Sequence, residues 1–362
     1  MSTQPGIAGK QTVGTCLSGA PDVPVHDSSP NRPSWGFGEG DQIVGHCTVR
    51  TRLGGGSHHE TYDAIDDRLF APVVVKIVRP HLVGSERVLR DLRREVDLTE
   101  RLRHPLIVRS LHHAATGDRP YLALEKLPGQ PLEVILKGGA SLPPERVLDL
   151  GMGIATVLHY LRFAHVVHLD VNPNNIIMSG RVPRLIDFDL ARGAIDAAKL
   201  TSSTGAARCA APEQCDPPHR GRPGPPSDVW GLGITLFRSV AGRFPFSEGV
   251  TTPDAAPEAR FPQLTDTPRE LPDTTPPALR EVIMSSLAAD PTRRPVPADV
   301  FFALQEISGE GPGGRITAPA PAGAAASAPA GPPDQRELFL AALKAKGSGA
   351  GSQRGHARKR SG

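Results

Sequence analysis

The stretch HLDVNPNNIIM, residues 168–178, decides how the chain is read. It sets Asp170 five residues before Asn175, among apolar neighbours and with no lysine or arginine inside it. A carboxylate and an amide oxygen at that separation suit one hard divalent cation, which takes oxygen ligands. Alone the pair carries little weight, because chance supplies about one such spacing in a chain this long. Its meaning comes from what lies on either side.

Downstream, RLIDFDLAR (184–192) ends a short extended run on Asp187. Two carboxylates and an amide make a ligand set for Mg²⁺, which keeps several waters and binds phosphate groups. Upstream, VVVKIV (73–78) is an apolar strand with Lys76 inside it. A lysine in a buried strand needs an anionic partner. The helical pattern SERVLRDLRREVDLTERLRH (85–104) offers one. Val88, Leu92, Val96, Thr99 and Leu102 form a stripe, and Glu95 falls on the same face. Lys76 and Glu95 are therefore read as a pair. The plainer alternative is a lysine snorkelling from an edge strand and a marginal Glu95 bonded to Arg94. Before the strand, RLGGGSHHETYDA (52–64) holds Gly54, Gly55 and Gly56. Consecutive glycines after a strand let backbone amides approach a phosphate, or simply form a hairpin turn.

Chance does not supply the order: glycine turn, strand lysine, helix glutamate, Asp/Asn loop, strand-end aspartate. In that order the chain resembles the eukaryotic-type protein kinases over about Val44 to Ile307. LGGGSHHETYDA stands for the nucleotide loop, VVVK for the strand lysine, and Glu95 is followed by HPLIV. YLALEKLPGQPL matches the hinge, HLDVNPNNII the catalytic loop and DFD the metal-binding triplet. APE (Ala211–Glu213), DVWGLGITLF (Asp228–Phe237) and DPTRRP (Asp290–Pro295) match the large lobe.

The resemblance implies an α+β, bilobal fold. A small β-rich lobe with one long helix covers 41–127, and a larger, mainly helical lobe covers 128–308. Strand-like material first and helical patterns later agree with that class. The resemblance also implies ATP and Mg²⁺, with Lys76, held by Glu95, on the α- and β-phosphates. Asn175 and Asp187 would hold magnesium, and Asp170 would accept the proton of the incoming hydroxyl. Leu124 would be the gatekeeper, Glu125 and Leu127 would present backbone to adenine, and Thr61, Val74 and Ile177 would line it. Glu213 would pair with Arg294, and Asp228 would brace the catalytic loop.

Five positions depart from the family's pattern. Leu169 replaces the arginine that pairs with a phosphorylated activation loop, so activity is expected not to depend on phosphorylation there. Asn172 replaces a lysine that reaches the γ-phosphate, and Ala206 replaces the threonine that lysine bonds. Losing one preorganised donor costs about 10²–10³ in rate, although the Asn172 amide still donates. Asp189 stands where the family has glycine, which is expected to restrict the triplet's flip. His59 takes the third glycine position of the nucleotide loop.

The remainder of the sequence bounds the reading. Net charge is +3, but residues after Glu310 hold eight Lys/Arg against two Asp/Glu, a balance of +6, so the body carries −3. That gives no argument for a nucleic-acid partner. Four scattered cysteines exclude a disulfide scaffold and fit a reducing compartment. No apolar run reaches the ~20 residues of a membrane span, and no signal peptide is read; the expected location is cytoplasmic. Residues 1–40 are poor in large apolar groups and expected to be disordered. Residues 309–362 are a Pro/Ala-rich tail with a short amphipathic helix near 334–346, a candidate docking element, and a basic end. Neither His58–His59 nor His112–His113 is read as a metal site, because adjacent histidines diverge and lack further ligands at suitable spacing.

The expected function is therefore transfer of the γ-phosphate of Mg·ATP to protein Ser/Thr hydroxyls, by a slow or specialised kinase. One alternative is a pseudokinase, a nucleotide-binding scaffold. A second is a small-molecule phosphotransferase of the aminoglycoside type, which APE and DVWGLG argue against.

Overall fold

Strand order follows from where the apolar residues fall. The computed structural model describes residues 32–309, apart from position 253. Six antiparallel strands form one sheet: β1 (Gln42–Val44), β2 (Cys47–Gly55), β3 (His59–Asp66), β4 (Ala71–Val78), β5 (Ser110–Ala114) and β6 (Tyr121–Glu125), in the order β1-β2-β3-β4-β6-β5. β4 lies between β3 and β6 and is covered on both faces, which is why its sequence is apolar almost throughout. Val73, Val75 and Ile77 join Ile43, Val49, Tyr62 and Ala123 on one side. Val74 and Val78 meet Leu92 and Val96 of helix α1 (Glu86–Arg101) on the other. The pleat places Lys76 on this second face, between strand and helix.

Residues 32–40 correct the compositional reading of the first forty. Trp35 donates its indole N–H to Val78 O at 2.8 Å and stacks on Phe37 at 5.9 Å. Arg119 covers both rings. Two aromatic side chains anchor a segment whose glycines and prolines read as unstructured. The tail helix expected near 334–346 and the basic end lie outside the described residues.

The large lobe is built on α2 (Pro144–Phe163), α3 (Pro225–Ala241), α4 (Pro277–Ser286) and α5 (Pro297–Ile307), whose apolar faces share one core. Residues 126–129 join the lobes without regular structure. A hairpin of β7 (Ile176–Ser179) and β8 (Val182–Leu185) follows the 168–175 loop. Gly231 explains how α3 reaches that loop: a Cβ there would collide with the Val171 carbonyl. The extended run expected over PRLIDF stops at Leu185, because Asp187 takes a left-handed φ of +63°.

Candidate active site

Lys76 is the centre of the cleft's charge. Its ammonium lies 2.9 and 3.0 Å from the two oxygens of Glu95, 2.9 Å from Asp187 and 3.9 Å from Asp189. Glu95 is 1% exposed, so the helix stripe carries its carboxylate inward as expected, and Arg94 turns elsewhere. Burial disfavours the Lys76 ammonium, but Asp187, Glu95 and Asp189 outweigh it and hold the group well above its ordinary range. Asp187 is likewise held low, since Lys76 overcomes its burial.

The loop at 168–175 is fixed from both sides. Asp228 accepts the backbone N–H groups of His168 and Leu169, both at 2.8 Å. Asn175 donates its amide to the Asp170 carboxylate at 2.7 Å and to the Asp170 carbonyl at 2.9 Å. Its Nδ2 is thereby spent, which leaves Oδ1 as the atom able to meet a cation. Asp170 also accepts the Ala206 N–H at 3.0 Å. Burial pushes its carboxyl up to about 6, against the Ala206 and Asn175 bonds. Two hard oxygen donors, Asn175 and Asp187, beside a part-buried ammonium fit a magnesium–phosphate group.

Around the nucleotide loop, Gly55 has no room for a Cβ, which would lie 2.6 Å from His59 O. Gly56 gives its carbonyl to Arg79 at 2.9 Å, and φ at Gly54 is +140°. Thr61 lies opposite Lys76 in the β3–β4 register. Val74 and Ile177 are part-buried against the cluster that contains Leu124 and Leu127. At the hinge, Glu125 gives its N–H to Arg109 O at 3.0 Å, and its carboxylate pairs with Arg109 and Arg184.

Each departure has a structural counterpart. Asn172 donates to the Asp170 carbonyl at 3.0 Å and accepts the Asn174 N–H at 2.9 Å. Its side chain thus holds its own loop and is not turned toward a phosphate. Asn172→Ala is expected to cost about 0.5–2 kcal/mol of stability, the usual range for a lost cap, which chemical denaturation would measure. Asp189 keeps a backbone that aspartate tolerates, and the left-handed residues of the 168–175 loop and the DFD triplet are Leu169 and Asp187. Asp189 thus needs no glycine-like backbone in this conformation. His59 is buried, and its Nε2 has no hydrogen-bond partner among the described residues. Burial, with help from Lys76, lowers it to about 3, so it is a neutral imidazole.

The protein kinase domain model matches residues 47–303. The chain belongs to the protein kinase family. It is 30% identical over 266 residues to the serine/threonine-protein kinase PknA of Mycobacterium tuberculosis, covering 70% of this chain and 59% of that protein. It is 31% identical over 257 residues to PknL of the same species, covering 68% and 61%. A probable serine/threonine-protein kinase of Streptomyces coelicolor, SCO3848, is 30% identical over 264 residues, covering 68% and 37%. The chain thus spans about three fifths, or less, of the length of these relatives.

Within this kinase domain three contributors escaped the sequence reading. Arg94 donates to the carbonyls of Asp189 and Ala191 at 2.9 and 3.0 Å, tying α1 to the DFD segment. Ile186, like Val74 and Ile177, packs against the cluster that contains Leu124 and Leu127. Arg79 and Glu60 form a fully buried pair at 3.4 Å beneath the glycine loop, with Tyr62 on the second carboxylate oxygen at 2.5 Å. An Arg three residues past the strand lysine was the available signal, but nothing local marks it as buried.

Proposed function

We propose that this chain is an ATP-dependent protein kinase that phosphorylates Ser/Thr hydroxyls, slowly compared with family members that keep the missing lysine. The observation that carries the reading is the joining of Lys76, Glu95 and Asp187 in one ion-pair cluster, with Asn175 bridging to Asp170. The kinase unit is taken as 41–308, with the lobes meeting after residue 127.

Lys76 would position the α- and β-phosphates, its three carboxylate neighbours keeping it charged. Asn175 Oδ1 and Asp187 would hold the magnesium that neutralises the phosphates when bound. Asp170 would take the hydroxyl proton as the oxygen attacks the γ-phosphorus and ADP departs. Asn175 and the Ala206 N–H orient its two oxygens, and each keeps a lone pair. The Leu127 N–H, without a backbone partner among the described residues, is available to adenine.

A protein acceptor is favoured over an amino sugar by the segment around APE. Gln263 ties the Ala207 and Ala210 carbonyls at 2.7 and 3.0 Å, beside a cavity of about 260 Å³ lined by Arg208, Glu248 and Phe261. Buried free thiols at Cys47, Cys209 and Cys215 support a reducing, cytoplasmic setting. No helix among the described residues is long and apolar enough to cross a membrane.

Leu169 supports independence from loop phosphorylation. It is buried against Val167 and Ala197, with Leu190, Ala194 and Leu200 packed around them. An apolar plug thus occupies the place where the family uses an arginine and a phosphate. Changing Thr201, Ser202, Ser203 and Thr204 together to alanine is expected to leave activity within a few fold. Leu169→Ala should instead destabilise the protein by about 2 kcal/mol or more through the cavity it opens.

The reading is tested by following labelled phosphate from Mg·ATP to the protein itself and to a generic basic protein. Transfer to serine or threonine is expected. Nucleotide binding without transfer would make this a pseudokinase, and transfer to amino sugars alone would make it a small-molecule kinase.

A further inference from the structure

At the end of the β2–β3 hairpin remote from the glycine loop, four side chains converge from segments distant in sequence. His46 sits on the turn between β1 and β2, Cys47 begins β2, Asp66 ends β3 and His112 lies on β5. One ligand atom from each lies within 4.8 Å of all the others. Asp66 Oδ2 is the hub: it is 3.7 Å from His46 Nε2, 3.8 Å from Cys47 Sγ and 2.6 Å from His112 Nε2. We propose that His46, Cys47, Asp66 and His112 form a closed, structural zinc site in the small lobe.

The surroundings aim these atoms at one another. Asp66 Oδ1 accepts the N–H groups of Arg68 and Leu69 at 2.8 and 3.0 Å, which leaves Oδ2 for the cluster. The Tyr121 hydroxyl lies 3.1 Å from His112 Nδ1 and fixes the ring so that Nε2 faces Asp66. An outer partner on the second imidazole nitrogen is the usual support of a metal-bound histidine. Cys47 is fully buried, and Asp66 nearly so.

The donor set selects the metal. One thiolate, two imidazoles and one carboxylate form a borderline-soft tetrahedral set, suited to zinc and unlike the all-oxygen shells of Mg²⁺ or Ca²⁺. Bonds of the usual zinc lengths put neighbouring ligand atoms about 3.3–3.8 Å apart. The Cys47 and His46 distances to Asp66 already match, and the His112–Asp66 contact must widen by roughly 1 Å to reach that spacing. Zinc entry replaces the thiol proton, which leaves to solvent, so the two anionic ligands balance the cation. All four positions belong to the protein, and β2 carries the site roughly 25 Å from the glycine loop, eight residue steps along the strand. Its effect is to join β1–β2, β3 and β5.

His112 was set aside in the sequence because His113 points away from it. That is correct for His113, which faces Glu100 at 3.4 Å, but the missing ligands come from β2, β3 and the turn before β2.

The test is titration of the reduced, metal-free full chain with Co²⁺, then Zn²⁺. One equivalent of Co²⁺ should give tetrahedral d–d absorption and a thiolate-to-cobalt charge-transfer band, both lost as Zn²⁺ displaces it. The band should vanish in Cys47→Ser and persist in Cys16→Ser. Only a thiolate gives this band, so cobalt held at the magnesium position does not imitate it. His46→Ala, on a partly exposed turn, should remain folded and weaken zinc binding at least about 100-fold, beyond the loss from an outer partner alone. No charge-transfer band at one equivalent, or the same band in Cys47→Ser, would overturn the site.

Discussion

Asp170→Asn is expected to reduce phosphoryl transfer by about 10²–10⁴-fold, the usual contribution of a positioned general base, while Mg·ATP still binds. The asparagine keeps the shape of the side chain and one acceptor oxygen. It can therefore still meet Asn175 or the Ala206 N–H, the two donors that hold the carboxylate. What it loses is the capacity to take the hydroxyl proton. Single-turnover transfer and equilibrium nucleotide binding, measured on the same preparation, separate the two. Equal transfer by the variant and the native chain would remove Asp170 from the role of base.

The second large effect concerns stability. Glu213 and Arg294 are fully buried and bonded in a two-pronged pair at 2.6 and 2.8 Å, with Ser227 on Glu213 and Trp230 beneath the guanidinium. Arg294→Met leaves the Glu213 carboxylate buried without its cation, a change that costs about 3–5 kcal/mol. For a domain of this size that lowers the thermal midpoint by roughly 10 °C. Adding Glu213→Gln should restore part of the loss, because the charge that lost its partner is gone. A midpoint unchanged by Arg294→Met would show that the pair does not hold the large lobe together.

Both effects were foreseeable because the residues involved stand in motifs through which the chain resembles the family. The Lys76–Glu95 pair is legible since a strand exposes alternate residues and a helix exposes every third or fourth. The sequence therefore states which face each charge occupies. The loop around Asp170 is legible by resemblance, which also names Asp228 as its brace; only its bonds within residues 170–175 are local in sequence. Harder to see are groups whose meaning depends on distant partners. Asn172 reads as a weakened donor to phosphate, yet the backbone two residues on claims its oxygen. Leu169 reads as a lost cation, and only the fold shows the apolar cluster that replaces it. Trp35 and Phe37 stand in a stretch whose composition points to disorder, and the sheet they cover is formed by residues far along the chain. The cluster at Asp66 gathers residues separated by as many as 66 positions, beyond the reach of any spacing rule.

The proposed activity requires that five groups, at 76, 95, 170, 175 and 187, share one Mg·ATP cleft. Calorimetric titration of Mg·ATP into the full chain, beside Lys76→Met, tests this most directly. One site is predicted, requiring magnesium and weakened at least about tenfold in the variant, the equivalent of a single lost charge-assisted bond. No heat with magnesium supplied, or equal affinity in the two proteins, would contradict it.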